Sequence, residues 1–217
     1  MSILKIKDNR IKTAALGTSA LYLVLTLVFF LPVEIPHKIT ACVSALFIAS
    51  LWLCPWQMSL ALLFSALGDH FGSCGNFLAQ MGFFALGHIW FIVYFIDRYF
   101  KRVEPDRKLT GKAKGYLAMV IFCAIVLLCV VFFRIVPLVP AGVLSIGVSI
   151  YAILICLMLV SAMLQRSSLF ALGAILFVFS DFILAWNKFV EPVPYRHYLV
   201  LVPYFLAQWL LFIRATK

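Results

Sequence analysis

The chain has 217 residues and a formal net charge of +10, and 65% of its residues are hydrophobic while 12% are charged. Soluble globular chains have roughly 45–50% apolar and about 25% charged residues, and disordered chains combine low hydrophobicity with high charge. The composition therefore excludes a soluble globular domain and a disordered chain. It predicts an all-α, polytopic transmembrane helix bundle.

Apolar runs that could form membrane-spanning helices recur along the whole chain. A bilayer core about 30 Å thick requires roughly 20 apolar residues of helix. The first run is longer than the apolar region of a typical signal peptide and no cleavage motif follows it, so we interpret it as a retained span. The sequence predicts a single transmembrane domain over residues 1–217 with eight spans, at about 13–31, 39–54, 57–72, 77–96, 115–133, 138–163, 169–187 and 197–213.

The second and third runs, 39–54 and 57–72, are shorter than the others, and only a turn that contains Pro55 separates them. Two complete spans are our prediction, and the count of eight includes both of them. A single re-entrant hairpin, which enters and leaves the membrane on the same side, is the alternative.

The distribution of basic residues predicts the orientation of these spans. If the N-terminus is cytoplasmic, that side receives 14 of the 18 Lys and Arg residues, seven of them from a basic loop over 97–114. Cytoplasmic loops carry the excess of Lys and Arg, so both termini are expected in the cytoplasm. Topology then explains the positive charge, and no nucleic-acid partner is expected. We expect a multi-pass protein of a bacterial cytoplasmic (inner) membrane.

Two acidic side chains interrupt the predicted spans. Asp69 follows Gly68 in the third span and Asp181 follows Ser180 in the seventh. A charged side chain at the bilayer centre costs at least about 2.5–3.5 kcal/mol, so an acid there indicates function by default. Both lie 12 residues from the start of their segments, roughly 18 Å deep. We therefore expect the two carboxyl groups to meet, with one of them holding its proton near neutral pH.

Other polar residues lie at compatible levels in the spans. His88, Tyr151, Tyr204 and Gln208 are candidate supporting groups, and Asn187 lies near the outer end of the seventh span, close to Arg196. Each of them, taken alone, is also compatible with ordinary helix packing. The aspartates themselves could instead link helices or form part of a cation path.

A metal site is not predicted. The six cysteines follow no C-x-x-C spacing, and five lie in or at the ends of apolar runs, so no disulfide framework is expected. The donor types for a metal ion are present in a set of four residues, Asp69, His70, His88 and Asp181. Adjacent helical positions point about 100° apart, however, which makes that set awkward. We expect no metal and no cofactor.

The polar residues lie in motifs that resemble the YhhN-like family of membrane proteins, which includes the lysoplasmalogenases. The motifs follow one another over the third to the eighth predicted span: Phe64-Ser65-x-x-Gly68-Asp69, Gly82-Phe83-Phe84-Ala85-x-x-His88, Gly173-Ala174-x-Leu176-Phe177-x-x-Ser180-Asp181 and Tyr204-x-x-Ala207-Gln208. His70 and Gly72 depart from the plainly apolar residues expected after Asp69.

The resemblance implies a hydrolase that cleaves the vinyl ether bond of a lysoplasmalogen, a lysophospholipid of the bilayer, to a fatty aldehyde and a glycerophospho-base. Two carboxyl groups suit this chemistry, because one can protonate the alkene and the other can stabilise the resulting cation and activate water. Asp69 and Asp181 are therefore the expected catalytic pair. The alternative is a proton-coupled transporter of a small molecule or lipid that uses the same aspartates. Headgroup preference and oligomeric state have no visible determinant.

Overall fold

The computed structural model describes residues 2–33, 35, 37–102 and 110–216, with side chains from Asn9 onward. Over these residues the chain forms eight α-helices and no strand, which confirms the all-α prediction. The helices are α1 (Ser2–Phe30), α2 (Lys38–Leu53), α3 (Trp56–Ser73), α4 (Phe77–Phe100), α5 (Gly111–Val130), α6 (Val143–Met163), α7 (Ser168–Phe189) and α8 (Arg196–Ala215).

Six of the described helical segments are long and apolar enough to cross a membrane, as expected of an integral membrane protein. They are Asn9–Phe30, Phe77–Phe100, Gly111–Leu138, Val143–Met163, Ser168–Phe189 and Arg196–Ala215. The helix α2 has 16 residues and α3 has 18, and neither belongs to this group of six. The count of eight spans and the cytoplasmic position of both termini therefore stay predictions, and the re-entrant hairpin formed by α2 and α3 stays the alternative.

The predicted start of the sixth span at residue 138 was wrong, and Pro137 explains the difference. After α5 the chain continues through a π turn over Val131–Ile135 and a 3-10 turn over Val136–Leu138. A proline ring removes a backbone donor and clashes with the preceding turn, which favours an end or a bend of the helix there. Gly142, at a φ of 109° that favours glycine, then leads into α6 at Val143.

The loop predicted over 97–114 is shorter than expected, because helices extend into it from both sides. The helix α4 continues to Phe100, and Asp97 pairs with Lys101 at 2.7 Å across its last turn. The helix α5 begins at Gly111, where Thr110 caps it by accepting a hydrogen bond from the amide of Ala113 at 3.3 Å. Residues 103–109 of the predicted loop lie outside the described residues.

The chain divides into two compact units, Met1–Trp90 with Gln208–Lys217, and Phe91–Ala207. In the first unit α1 packs on α2 and α2 on α3, and Trp209 donates a hydrogen bond to Ser19 at 3.0 Å, which joins the end of α8 to α1. Its core contains the fully buried side chains of Tyr22, Leu46, Met58, Leu62, Leu211 and Phe212.

In the second unit α5 packs on α6 and α6 on α7. Its largest fully buried side chains are Phe91, Phe95, Ile135, Met158, Phe170 and Phe177. Rings dominate this core: Phe95 meets Phe170 edge to face at 5.1 Å between centroids. The single transmembrane domain inferred from the sequence stays a prediction.

Candidate functional site

Asp69 lies on α3 and is buried inside the first unit, with 2% of its surface exposed. Tyr22 of α1 and Cys42 of α2 interact electrostatically with its carboxyl group, and both are as fully buried as Asp69. Three consecutive helices thus each contribute one polar side chain to the same small region. A carboxyl group that is buried among such neighbours is a candidate catalytic group, since it is not a surface charge in contact with solvent.

Two glycines set the close approach of α3 and α4 around Asp69. A Cβ atom at Gly68 would lie 3.0 Å from the ring of Phe84, and one at Gly87 would lie 3.3 Å from the Ala61 carbonyl oxygen and from the Ser65 hydroxyl. Side chains larger than hydrogen at these positions would push the helices apart. Gly68, which directly precedes Asp69, therefore lies where α3 and α4 are in close contact.

Two further predicted residues of the first unit, His88 and Gln208, are fully buried. His88 follows Gly87 on α4, and Gln208 lies on the part of α8 that belongs to this unit. The side-chain amide of Gln208 has no hydrogen-bond partner among the described residues. A buried amide without a partner costs about 1–3 kcal/mol, so Gln208 is available for a polar ligand.

Asp181 lies on α7 in the second unit and is hydrogen-bonded to Tyr151 of α6, whose hydroxyl donates to a carboxylate oxygen. Both side chains are half-buried. The sequence placed Tyr151 among the candidate supporting groups, and the structure brings it directly to the carboxylate. The phenol fixes the direction in which Asp181 presents its oxygens.

A half-open pocket surrounds this pair, with walls from α5, α6 and α7. Apart from Tyr151 and Asp181 its lining is almost wholly apolar, with side chains that include Leu128, Val131, Ile155 and Phe182. An apolar pocket with a few convergent polar groups is the usual form of a small-molecule site. Here Tyr151 and Asp181 are the polar groups in an otherwise apolar lining.

The residues around Asp181 hold α7 against α8 within the second unit. Ser180 donates a hydrogen bond to the carbonyl oxygen of Val200 at 2.8 Å. Tyr204 is 3% exposed and packs edge to face on Phe177 at 5.5 Å between centroids. These two contacts therefore hold α7, which carries Asp181, against α8. Neither of them involves the carboxylate of Asp181.

Asn187 was predicted near the outer end of the seventh span, close to Arg196. Its side-chain oxygen accepts a hydrogen bond from the amide of Val193 at 3.0 Å and so orders the turn between α7 and α8. Arg196 begins α8 and is exposed. Asn187 thus has a structural contact, and Arg196 is the more accessible group for an anion.

The predicted site residues fall into two groups, one in each unit. Asp69, His88 and Gln208 belong to the first, and Asp181, Tyr151, Asn187, Tyr204 belong to the second. That Asp69 meets Asp181 stays a prediction. Tyr22 and Cys42 are not among the residues predicted from the sequence, although a hydroxyl and a thiol inside long apolar runs are polar groups that need partners.

The metal-binding set considered from the sequence differs from the group found in the structure. Among the described residues, the side chains whose ligand atoms come within reach of one ion are His37, His70 and Cys74. His70 therefore groups with residues of two turns rather than with Asp69 and His88. The described cysteines are all free thiols.

Comparison with known proteins identifies the family. The model of the YhhN family matches residues 21–215. The chain belongs to the YhhN family. The matched range includes every predicted site residue of both units. No solved structure matches the chain.

Two curated mammalian relatives carry names that state an activity. Lysoplasmalogenase TMEM86A of Bos taurus is 30% identical over 219 residues, which cover 88% of this chain and 83% of that protein. Lysoplasmalogenase TMEM86B of Homo sapiens is 34% identical over 70 residues, only 32% of this chain and 30% of that protein. The longer match extends over both units of the fold.

Proposed function

We propose that this member of the YhhN family is an intramembrane hydrolase of the lysoplasmalogenase type. It cleaves the vinyl ether bond of a lysoplasmalogen and releases a fatty aldehyde and a glycerophospho-base. The names of the two relatives support the substrate class, and the hydrogen bond from Tyr151 to Asp181 beside an apolar pocket is the observation that carries the proposal. A multi-pass protein also meets this one-chain lipid directly in the bilayer.

The reaction needs a proton donor and a carboxylate. A carboxylic acid transfers its proton to the alkene carbon that is not bonded to oxygen, which gives an oxocarbenium ion at the neighbouring carbon. Water then adds to that carbon and loses a proton, and the resulting hemiacetal breaks its bond to the glycerol oxygen. One water molecule is consumed, one aldehyde and one alcohol are formed, and the acid is regenerated.

Asp181 fits the role of the carboxylate. Because the Tyr151 hydroxyl donates a hydrogen bond to it, the carboxylate is the acceptor, and its orientation is fixed toward the pocket region. An oriented carboxylate can stabilise the adjacent cation and receive a proton from the attacking water. The apolar walls supply a place for the hydrocarbon chain that carries the reacting carbons.

Asp69 fits the role of the proton donor. Its carboxyl group is 2% exposed and has a phenol and a thiol as polar neighbours, so it is shielded from water. Proton delivery from a shielded carboxylic acid avoids loss of the proton to solvent. His88 and Gln208 are proposed to bind the glycerol backbone or to orient the acid, and Arg196 to bind the phosphate.

The membrane placement proposed here has both termini in the cytoplasm of a bacterial cell, and the substrate enters from the surrounding leaflet. The two named relatives are mammalian, and the distribution of basic residues supports the orientation of the termini alone. The bilayer is the only partner that the proposal requires.

Purified protein in detergent, mixed with a lysoplasmalogen, tests the proposal by the release of fatty aldehyde. Asp69→Asn and Asp181→Asn are each expected to lower the rate by about 10²–10⁴-fold, because each removes a group that transfers or accepts a proton. Asp97→Asn is the matched control, since Asp97 forms a surface pair with Lys101 at the end of α4, and it should leave the rate unchanged.

Detergent removes the two compartments that a transporter needs, so a proton-coupled carrier would release no aldehyde in this assay. Wild-type protein that is monodisperse and inactive on both choline and ethanolamine lysoplasmalogens would contradict the proposed function. Full activity in either Asp→Asn variant would instead contradict the assignment of that carboxyl group.

A further inference from the structure

Three side chains that commonly bind metal ions lie together where two turns of the first unit meet. His37 immediately precedes α2, His70 lies in the last turn of α3, and Cys74 ends that helix. One ligand atom from each lies within 4.8 Å of the other two. The proposed function uses none of them, and His70 is one of the residues that departs from the apolar pattern after Asp69.

The spacing of His70 and Cys74 suits chelation by a helix end. Residues four apart lie on the same face of a helix, and the Nε2 atom of His70 is 3.9 Å from the Sγ atom of Cys74. In a tetrahedral zinc site the nitrogen and sulfur ligands lie roughly 3.3–3.6 Å apart. The distance between these two atoms is therefore close to that in a zinc-bound site, and only a small side-chain movement is needed to reach it.

His37 completes the group from a different part of the chain. Its ring centroid lies 4.8 Å from that of His70, and its backbone has a φ of 53°, in the left-handed region that few non-glycine residues adopt. This conformation turns the start of α2 so that the imidazole faces the end of α3. The three candidate ligands, His37, His70 and Cys74, thus come from two turns and surround one position.

A hydrogen bond to Ser73 selects the tautomer of the neutral His37 ring. The Ser73 hydroxyl donates to the carbonyl oxygen of His70 at 2.7 Å, so it accepts from the Nδ1 atom of His37 at 2.6 Å. The proton is then on Nδ1, which leaves the lone pair on Nε2. Neutral imidazole with one nitrogen held by a hydrogen bond is the form that binds metals in proteins.

The cluster is open to solvent, and the lysine that follows His37 in the chain is bonded elsewhere. His37 and Cys74 are exposed and His70 is half-exposed, so an ion has direct access. Lys38 follows His37 in the chain, but its ammonium group donates to the carbonyl oxygens of Leu31 and Val33, each at 3.1 Å. The cation is thus held at the end of α1 by those carbonyl groups.

We propose that His37, His70 and Cys74 bind one Zn²⁺ ion, with water as the fourth ligand. Two imidazoles and a thiolate are borderline-soft donors that favour zinc over magnesium or calcium, which prefer oxygen. The ion joins the turn before α2 to the end of α3, the helix that carries Asp69. This site goes beyond the proposed hydrolase function and does not depend on it.

Metal titration of the purified full-length protein tests this site. Any affinity tag is removed first, and bound metals are stripped with a chelator. Co²⁺ is then added as a spectroscopic probe. In a separate titration, Zn²⁺ binding is measured in competition with a chromophoric chelator. We expect one equivalent of each metal, a thiolate-to-cobalt charge-transfer band, and the strong visible bands of tetrahedral cobalt. Zinc should also raise the unfolding temperature, since it binds only the folded state.

Variants of the three ligands decide the outcome. Cys74→Ser should abolish the charge-transfer band, and His37→Ala and His70→Ala should each weaken zinc binding by at least about 100-fold, since even outer-shell changes cost 10–100-fold. Cys123→Ser, Cys129→Ser and His197→Ala are the controls, because these residues are exposed and lie outside the cluster.

Three results would overturn the proposal: no stoichiometric binding by the wild-type protein, a charge-transfer band that persists in Cys74→Ser, or a band lost in the Cys123 or Cys129 control. Circular dichroism and gel filtration of each variant distinguish the loss of a ligand from the loss of the fold. An Asp69→Asn variant that binds zinc normally but releases no aldehyde would separate this site from the hydrolase site.

Discussion

The hydroxyl of Tyr151 on α6 donates a hydrogen bond to the carboxylate of Asp181 on α7, at the edge of an apolar pocket. This contact connects two residues 30 positions apart in the chain, and mostly aliphatic side chains line the pocket beside it. It gives the acid in the seventh predicted span a partner and a direction. An isolated intramembrane carboxylate would have neither.

Removal of that hydroxyl by Tyr151→Phe is expected to lower the rate of aldehyde release by about 10–100-fold, since a hydrogen bond to a charged group contributes roughly 1.5–3 kcal/mol. The loss should be in kcat more than in KM, because the phenol orients the carboxylate rather than the lipid. Steady-state kinetics in detergent measures both. Tyr116→Phe, an exposed tyrosine of α5, is the control, and equal rates in both variants would contradict the role of Tyr151.

The contact between α3 and α4 predicts opposite effects for two glycine substitutions. Gly68→Ala places a Cβ atom 3.0 Å from the buried Phe84 ring, so we expect a loss of about 1–3 kcal/mol in the free energy of unfolding. Gly82→Ala meets nothing within 4 Å, so we expect a gain of roughly 0.5–1 kcal/mol from helix propensity. Thermal unfolding in detergent compares the two variants. Similar changes of the unfolding temperature in the same direction would show that α3 and α4 are not in close contact at Gly68.

Arg102 closes the end of α6 in the second unit. Its guanidinium group donates to the carbonyl oxygens of Leu164 at 2.9 Å and Gln165 at 2.7 Å, and to the side-chain oxygen of Gln165 at 3.0 Å. Arg102→Ala should cost about 1–3 kcal/mol, because it leaves these oxygens without their donor. Arg102→Lys should recover only part of that, because an ammonium group lacks the planar fork.

The matched control for Arg102 is Lys101→Ala, which removes an exposed pair with Asp97. Surface pairs contribute about 0–1 kcal/mol. Thermal unfolding and limited proteolysis between residues 163 and 168 report the two effects. A Lys101 variant that is destabilised as strongly as the Arg102 variant would show that the donor geometry is unimportant.

Cysteine accessibility distinguishes two spans from a re-entrant hairpin at α2 and α3. In a chain whose other native cysteines are serine, Cys74 is expected to react with a membrane-impermeant maleimide added outside the cell, in the presence of a chelator. The thiol introduced by Trp56→Cys, at a position 60% exposed, should react only from the cytoplasmic side if both helices span the membrane. Protection from reagent on both sides would support the hairpin and a count of six spans.

The sequence by itself determined the class of protein and most of the helices. An apolar fraction of 65% cannot be buried in water by a chain of this length, and helices satisfy every backbone hydrogen bond inside a segment, so the spans follow from local composition. The two aspartates in the spans are also visible in the sequence, because the free-energy cost of a charge in lipid depends on its position in the span and not on its partners. The start of α6 was predicted too early, because the turns around Pro137 separate it from the preceding helix.

The partners of these residues depended on the tertiary structure. Tyr22, Cys42 and Asp69 come from three helices, Tyr151 and Asp181 from two, and His37 approaches His70 and Cys74 from another turn. Helix periodicity relates residues three or four positions apart, but it does not fix which faces of separate helices meet. Packing of small residues such as Gly68 and Gly87 sets those faces, and contacts of this kind arise only when the folded helices are in place.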